Sequence, residues 1–199
     1  DARSGRRIEL AALDLTAGLE GLDKPLKLVG SGLWNGERAS LEAVIDTPAA
    51  AMAGRRTTVR VSLASNPASF SFIGDLQFDG DAALPLVNGR FTADLPNPAA
   101  AVAWATGARA PAGLAGLGAV KLDGSVNATE AALRITATGG IGYKGRTVGF
   151  DLKADGAEGW LERQAFTVAV LGESVGLFRF TFSGPVSAAG SLAAEGPLK

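Results

Sequence analysis

The sequence contains neither cysteine nor histidine among its 199 residues. Without imidazole there is no Ser-His-Asp triad and no ordinary zinc site. Without thiols there is no disulfide, no cysteine nucleophile and no iron–sulfur ligation. No apolar run approaches the roughly 18 residues that a membrane-spanning helix requires. The sequence therefore predicts a non-enzymatic chain with no catalytic residue, no metal site, no cofactor and no transmembrane segment.

The net charge of the chain excludes a further class of function. The 19 basic and 20 acidic residues leave a net charge of -1, so no basic surplus is present to neutralise phosphates and nucleic acid is not expected as a partner. A hydrolase acting through carboxylates alone would need two acidic side chains to converge in one cleft. No spacing in the sequence brings such a pair together.

What the sequence has instead is internal repetition. Residues 42–51 and 91–101 each contain a predicted strand, in which apolar and polar residues alternate, followed by proline and a run of alanines. We call the second part of each segment a proline-opened alanine stretch. Around them, short strands carry an apolar-x-Gly step at residues 28–30, 72–74, 78–80, 122–124 and 182–184. Repetition on this scale predicts stacked strands in an extended sheet, and the glycines are expected to let those strands bend and bulge.

The local signals predict β structure with one helix or two. Asn97 is a suitable N-cap, Pro98 suits the first helical position and Gly107 suits the end of a helix. A Gly/Ala/Pro loop, residues 108–119, follows that helix before the strands resume. We therefore interpret the chain as a single β domain, 1–199, with the loop as the best boundary between two halves, 1–107 and 120–199.

Alternation places a set of large apolar residues on one face of the predicted sheet. The set consists of Phe70, Phe72, Leu76, Phe78, Phe91, Leu122, Val148, Phe150, Leu152, Phe166, Val168, Phe180 and Phe182. Two architectures fit this pattern: the closed core of a β-sandwich, and an open curved sheet whose apolar face forms a groove. In a groove these side chains would bind acyl chains, because burying each methylene gains about 0.8 kcal/mol.

Several short motifs resemble those of AsmA-type domains. The run at residues 26–37, which ends in Trp34-Asn35-Gly36-Glu37, is similar to the opening of such a domain. The steps at 46–48, 72–74 and 122–124, the alanine-rich helix after Leu95-Pro96 and the loop at 111–114 follow in the same order. The resemblance covers roughly residues 8 to 190.

The resemblance implies a cellular location and a function. AsmA-like proteins of Gram-negative bacteria are anchored in the inner membrane and project into the periplasm. Their larger relatives carry phospholipid along a trough-shaped sheet and are tied to outer-membrane assembly. This chain lacks the anchor and is short, so we expect a periplasmic segment whose anchor lies outside it. The expected partners are a phospholipid or another acyl-chain lipid, together with other envelope proteins.

Taken together, the sequence predicts an all-β fold: an extended, curved antiparallel sheet, open as a trough, with one or two short alanine-rich helices. The alternative is a closed β-sandwich. The predicted function is periplasmic lipid handling in outer-membrane biogenesis and lipid transport; the alternative is a structural or protein-interaction domain with a closed core. Trp34, Trp104 and Trp160 are interpreted as packing or end-plug residues.

Overall fold

A computed structural model shows a chain of strands with two short helices. It describes residues 9–78, 85–107, 109–110, 114, 116–129, 131–143, 145–157, 166–172, 176–182 and 193–195, with side chains described up to residue 157. The strands are β1 (Leu10–Gly18), β2 (Leu26–Trp34), β3 (Glu37–Ile45), β4 (Thr57–Ser65), β5 (Ser69–Gln77), β6 (Leu86–Leu95), β7 (Leu117–Ala128), β8 (Leu133–Tyr143), β9 (Arg146–Gly156), β10 (Phe166–Gly172), β11 (Gly176–Phe182) and β12 (Ala193–Glu195). The helices are α1 (Pro48–Met52) and α2 (Pro98–Thr106).

All of these strands belong to one antiparallel sheet. The order across the sheet is the order along the chain, from β1 to β12, and each strand pairs with its neighbours in sequence. In the described residues β1 and β12 occupy the two edges and do not pair with each other, so the sheet is open. The predicted open antiparallel sheet is confirmed, and the alternative of a closed β-sandwich is not what the chain adopts.

The turns follow from local sequence. Asn35 and Gly36 join β2 to β3 with φ angles of 47° and 83°, and their flanking residues Trp34 and Glu37 pair directly. A two-residue turn with positive φ at both positions is the type I′ geometry that Asn-Gly favours, because it matches the twist of paired strands.

Both proline-opened alanine stretches form helices. In α2 the Asn97 side chain accepts a hydrogen bond from the Ala100 N–H at 3.0 Å, and Pro98 occupies the first turn. The helix ends at Gly107, which has φ 64° and donates its N–H to the Ala103 carbonyl at 2.9 Å. The predicted helix at 97–107 is therefore confirmed together with its caps.

The two helices lie at opposite ends of the strands. Helix α1 follows β3 and α2 follows β6, so three strands, β4 to β6, separate them. Because these strands are antiparallel, an odd number of them carries the chain from one end of the sheet to the other. At the first end, the Ala49 N–H of α1 donates to the Leu22 carbonyl in the β1–β2 loop at 2.8 Å. At the other end, α2 lies beside the β2–β3 turn, and we refer to this end of the sheet as the α2 end.

The sheet continues across the predicted boundary between halves. Strands β6 and β7 flank that loop and pair along their length, from Val87 opposite Ala128 to Leu95 opposite Val120. The division of the chain into halves stays a prediction. Neither helix is long and apolar enough to cross a membrane, as judged over the described residues.

Candidate functional site

The register of the sheet brings the predicted apolar residues of β5 to β9 onto one face. Phe72 lies opposite Phe91, and Phe91 in turn lies opposite Gly124. Gly139 lies between Leu122 on one side and Phe150 on the other. Residues directly opposite each other project from the same face of a sheet. By this register the face includes Phe70, Phe72, Leu76, Phe91, Leu122, Val148, Phe150 and Leu152.

The same face extends over strands that the predicted site did not include. We call the complete surface on β2 to β9 the apolar face. Its further members include Leu26, Leu28, Trp34, Leu41, Ala43, Ile45, Val59, Val61, Leu63, Val87, Leu95, Val120, Val126, Ile135 and Ile141. The signal that identifies them is the same period-two alternation, carried by aliphatic side chains instead of aromatic ones.

The register does not assign the remaining five predicted residues to the apolar face, for two different reasons. Phe78 follows the end of β5 and is 46% exposed, so no strand pairing assigns it to the face. Val168 lies in β10 opposite Ala154 and also opposite Phe180 of β11. Phe166 and Phe182 pair with each other. The side chains of these last four residues lie outside the described part of the chain.

Glycines on the apolar face make room for aromatic rings. A Cβ atom built on Gly74 or on Gly89 would lie 2.6 Å from Cζ of Phe72. On Gly124 it would lie 2.8 Å from Cζ of Phe91. Contacts this short leave no space for a side chain larger than hydrogen, so the rings cover the backbone at these glycines.

This arrangement corrects the predicted role of the apolar-x-Gly steps. Gly30, Gly74 and Gly124 lie in unbroken pairings. The register shifts in the described sheet occur elsewhere, between Ala11 and Asp14 and between Leu117 and Val120. At these three steps the glycines therefore provide space for neighbouring side chains and are not the sites of bulges. Gly80 and Gly184, which end the steps at 78–80 and 182–184, lie outside the described residues.

The opposite face of the sheet is polar. Ser71 and Thr92 share a hydrogen bond between their hydroxyl groups at 2.7 Å, and Lys121 Nζ lies 3.1 Å from Asp94 Oδ2. A shallow groove of about 460 Å³ on this polar face lies over β6 to β9. It is lined by two cations and two carboxylates, namely Arg90, Lys153, Asp123 and Asp151.

Neither face contains a metal-binding cluster. No group of three or more His, Cys, Asp or Glu side chains is placed to hold a metal ion, as far as the chain is described. The polar groove has the mixed charges of a solvated sheet surface, and Asp123 and Asp151 are held two strands apart because each lies opposite Thr138. The feature that sets this molecule apart is its apolar face.

Among the described residues, no second layer covers the apolar face. In the part of the chain that is described, no large side chain is fully buried. Apart from prolines, the buried apolar side chains there are those of six alanines and of Val120. Phe72, Phe91 and Phe150 are only half-buried. The sheet thus presents a continuous apolar surface to its surroundings.

Comparison with known proteins gives no assignment: no family model, curated protein or solved structure matches the chain. The resemblance to AsmA-type domains therefore stays a prediction that rests on the short motifs of the sequence.

Proposed function

We propose that this chain is a non-enzymatic lipid-handling module whose apolar face binds the acyl chains of phospholipid or of a similar lipid. The observation that carries the proposal is the continuous apolar face of a single-layer sheet. Contiguous exposed apolar surfaces of this extent mark binding sites, because soluble proteins otherwise bury them.

The dimensions of the face suit an acyl chain. Eight strands at a spacing of about 4.8 Å make the face about 34 Å wide across the strands. The acyl chains of one leaflet span about 15 Å, which is half of a bilayer core of about 30 Å. A chain covered on one side gains about half of the 0.8 kcal/mol per methylene of full burial, or about 6 kcal/mol for 14 methylenes. This gain is enough for reversible binding and still permits movement along the face.

We infer the cellular setting from the sequence motifs. They support an AsmA-type role in the periplasm of a Gram-negative bacterium, in lipid transport or outer-membrane biogenesis. In that setting the chain is part of a protein anchored in the inner membrane.

A second candidate function is protein interaction through the edge of the sheet. Strand β1 is the first in the sheet order, and its Leu10, Leu13 and Leu15 side chains are all more than half exposed. An exposed edge strand can accept a further strand from a partner. This function requires no lipid, so the presence or absence of bound lipid separates the two candidates.

The test is native mass spectrometry of gently purified protein, with lipid extraction from the same sample. We expect phospholipid at a defined stoichiometry, and its loss in Phe72→Asp and Phe150→Asp. Ile73→Asp is the matched control, because Ile73 neighbours Phe72 in β5 and lies on the polar face, 52% exposed. That variant should retain lipid.

Folding of each variant is checked by far-ultraviolet circular dichroism. If Phe72→Asp does not fold, Phe70→Asp replaces it, because Phe70 is already 37% exposed. A lipid-free mass under conditions that preserve lipid on known carriers would contradict the proposal. Equal lipid loss in the Ile73→Asp control would contradict it as well.

A further inference from the structure

Helix α2 crosses the end of the sheet. It leaves β6, yet the carbonyl of Trp104 near its C-terminus accepts a hydrogen bond from Asn35 Nδ2 at 2.5 Å. Asn35 lies in the β2–β3 turn, and β2 is four strands away from β6. Helix α2 also contacts β7, where Val120 of the apolar face is only 8% exposed. The helix therefore closes the α2 end of the apolar face.

Two buried hydrogen-bond donors lie at this end. The indole Nε1 atoms of Trp34 and Trp104 are both buried, and neither has a hydrogen-bond partner within the described residues. Trp34 belongs to the apolar face through its place in β2, and the Asn35 hydrogen bond brings the backbone of Trp104 next to it. An indole N–H can only donate, and buried donors are almost always paired. This end of the face therefore lacks an acceptor.

We propose that the α2 end of the apolar face is the binding site for the polar end of the bound amphiphile. There the Trp34 and Trp104 indole N–H groups donate to an ester carbonyl or a phosphoryl oxygen. The inference rests on the proposed function and deepens it by giving the lipid an orientation. The acyl chain lies on the aromatic rings of β5 to β9, and the acceptor oxygen lies under the last turn of α2.

The chemistry of the ligand follows from that of the site. Acyl-chain lipids carry acceptor oxygens at the polar end of each chain, and tryptophan suits such a boundary because its ring is apolar and its N–H is polar. A plain hydrocarbon would satisfy the aromatic rings of the face and leave both donors unpaired. The site thus distinguishes an amphiphile from an alkane of the same length.

The experiment compares three probes that compete with a fluorescent fatty-acid analogue: hexadecane, methyl palmitate and hexadecyl phosphate. Hexadecane has no acceptor, methyl palmitate supplies the ester carbonyl and hexadecyl phosphate supplies the phosphoryl oxygen. We expect Trp34→Phe and Trp104→Phe each to weaken binding of at least one acceptor-bearing probe about five- to tenfold. Hexadecane binding should change less than twofold, because the aromatic ring is retained.

A second measurement uses the unaltered protein, so it does not depend on whether the variants fold. In ¹⁵N-labelled protein, the indole N–H proton signals of Trp34 and Trp104 should move downfield with an acceptor-bearing probe and not with hexadecane. The acceptor-bearing probe that produces the shift identifies the oxygen as carbonyl or phosphoryl.

Each outcome decides between the two claims. If the probes bind and the Trp→Phe variants affect all three equally or none of them, the head-group site is wrong and acyl-chain binding stands. If none of the three probes binds the unaltered protein, the proposed function itself is wrong. The head-group site is then wrong with it.

Discussion

At the scale of single residues, the apolar face depends on pairing an aromatic ring with a glycine on the next strand. Phe91 covers Gly124 of β7, and Phe150 covers Gly139 of β8. Hydrogen is the only side chain that leaves space for the ring at these positions, so each ring depends on the glycine opposite it. The result is a face on which aromatic rings cover the backbone at the glycines.

The expected consequence is that Gly124→Ala destabilises the fold. The added methyl would lie 2.5 Å from the Thr136 carbonyl oxygen and 2.7 Å from Cβ of Ala137, which is overpacking worth about 1–3 kcal/mol. Gly18→Ala in β1 is the matched control, because nothing lies within 4 Å of the added atom there. Urea unfolding measures both variants; equal losses of stability at the two positions would show that overpacking at Gly124 is not the cause.

The apolar-x-Gly steps could be found in the sequence, but their role could not. Phe91 and Gly124 are 33 positions apart, and only the register of β6 with β7 brings them together. Local reasoning assigned such glycines to bends, because a glycine in a strand usually indicates a bulge or a close approach of backbone. The choice between those two meanings depends on the neighbouring strand.

At the scale of elements, the two proline-opened helices close opposite ends of the sheet and leave its length open. Helix α1 buries only alanine and proline side chains, and α2 likewise buries Pro98 and Ala101. Small side chains let each helix lie close to the strand ends. Short helices of this kind are marginal alone, so their caps and their contacts with the sheet stabilise them.

We expect Asn97→Ala to cost about 1 kcal/mol in the free energy of unfolding, because it removes the side-chain acceptor for the Ala100 N–H. Thr47→Ala at the start of α1 is the matched control, since Thr47 makes no side-chain capping hydrogen bond. Its effect should stay below about 0.5 kcal/mol. Denaturant unfolding compares the two, and a Thr47 effect as large as that of Asn97 would refute the capping account.

The sequence predicted elements well where the signals were local. The cap, proline and glycine of α2 fix its bounds without help from the rest of the fold. Strand β8 is an exception: in the sequence the apolar alternation stops at Thr138, before two glycines, but β8 continues to Tyr143. Gly139 looked like a strand end and instead makes room for Phe150 and Leu122.

At the scale of the whole molecule, one sheet without a second layer buries little apolar surface. The heat-capacity change of unfolding grows with the apolar surface that unfolding exposes. We therefore expect calorimetry of the lipid-free protein to give less than about 10 cal/mol/K per residue, below the usual value of about 12–15. A value in the usual range would mean that the apolar face is covered in solution.

Whether the sheet was open could not be predicted from alternation alone. A closed sandwich and an open trough both place Val59, Val61 and Leu63 on one face at a period of two, and the two differ only in what lies opposite that face. The resemblance favoured the open form, and the chain-order pairing of the strands supports it. The alternation of apolar and polar residues does not predict which ligand binds to the face.

The most direct test of lipid binding on the apolar face is a cysteine scan along β5. The chain has no cysteine, so Phe70→Cys, Ser71→Cys, Phe72→Cys and Ile73→Cys each give one site for a polarity-sensitive fluorophore. On addition of phosphatidylglycerol vesicles, we predict a blue shift at positions 70 and 72 and none at 71 and 73. The same shift at all four positions, or a shift confined to 71 and 73, would contradict the account.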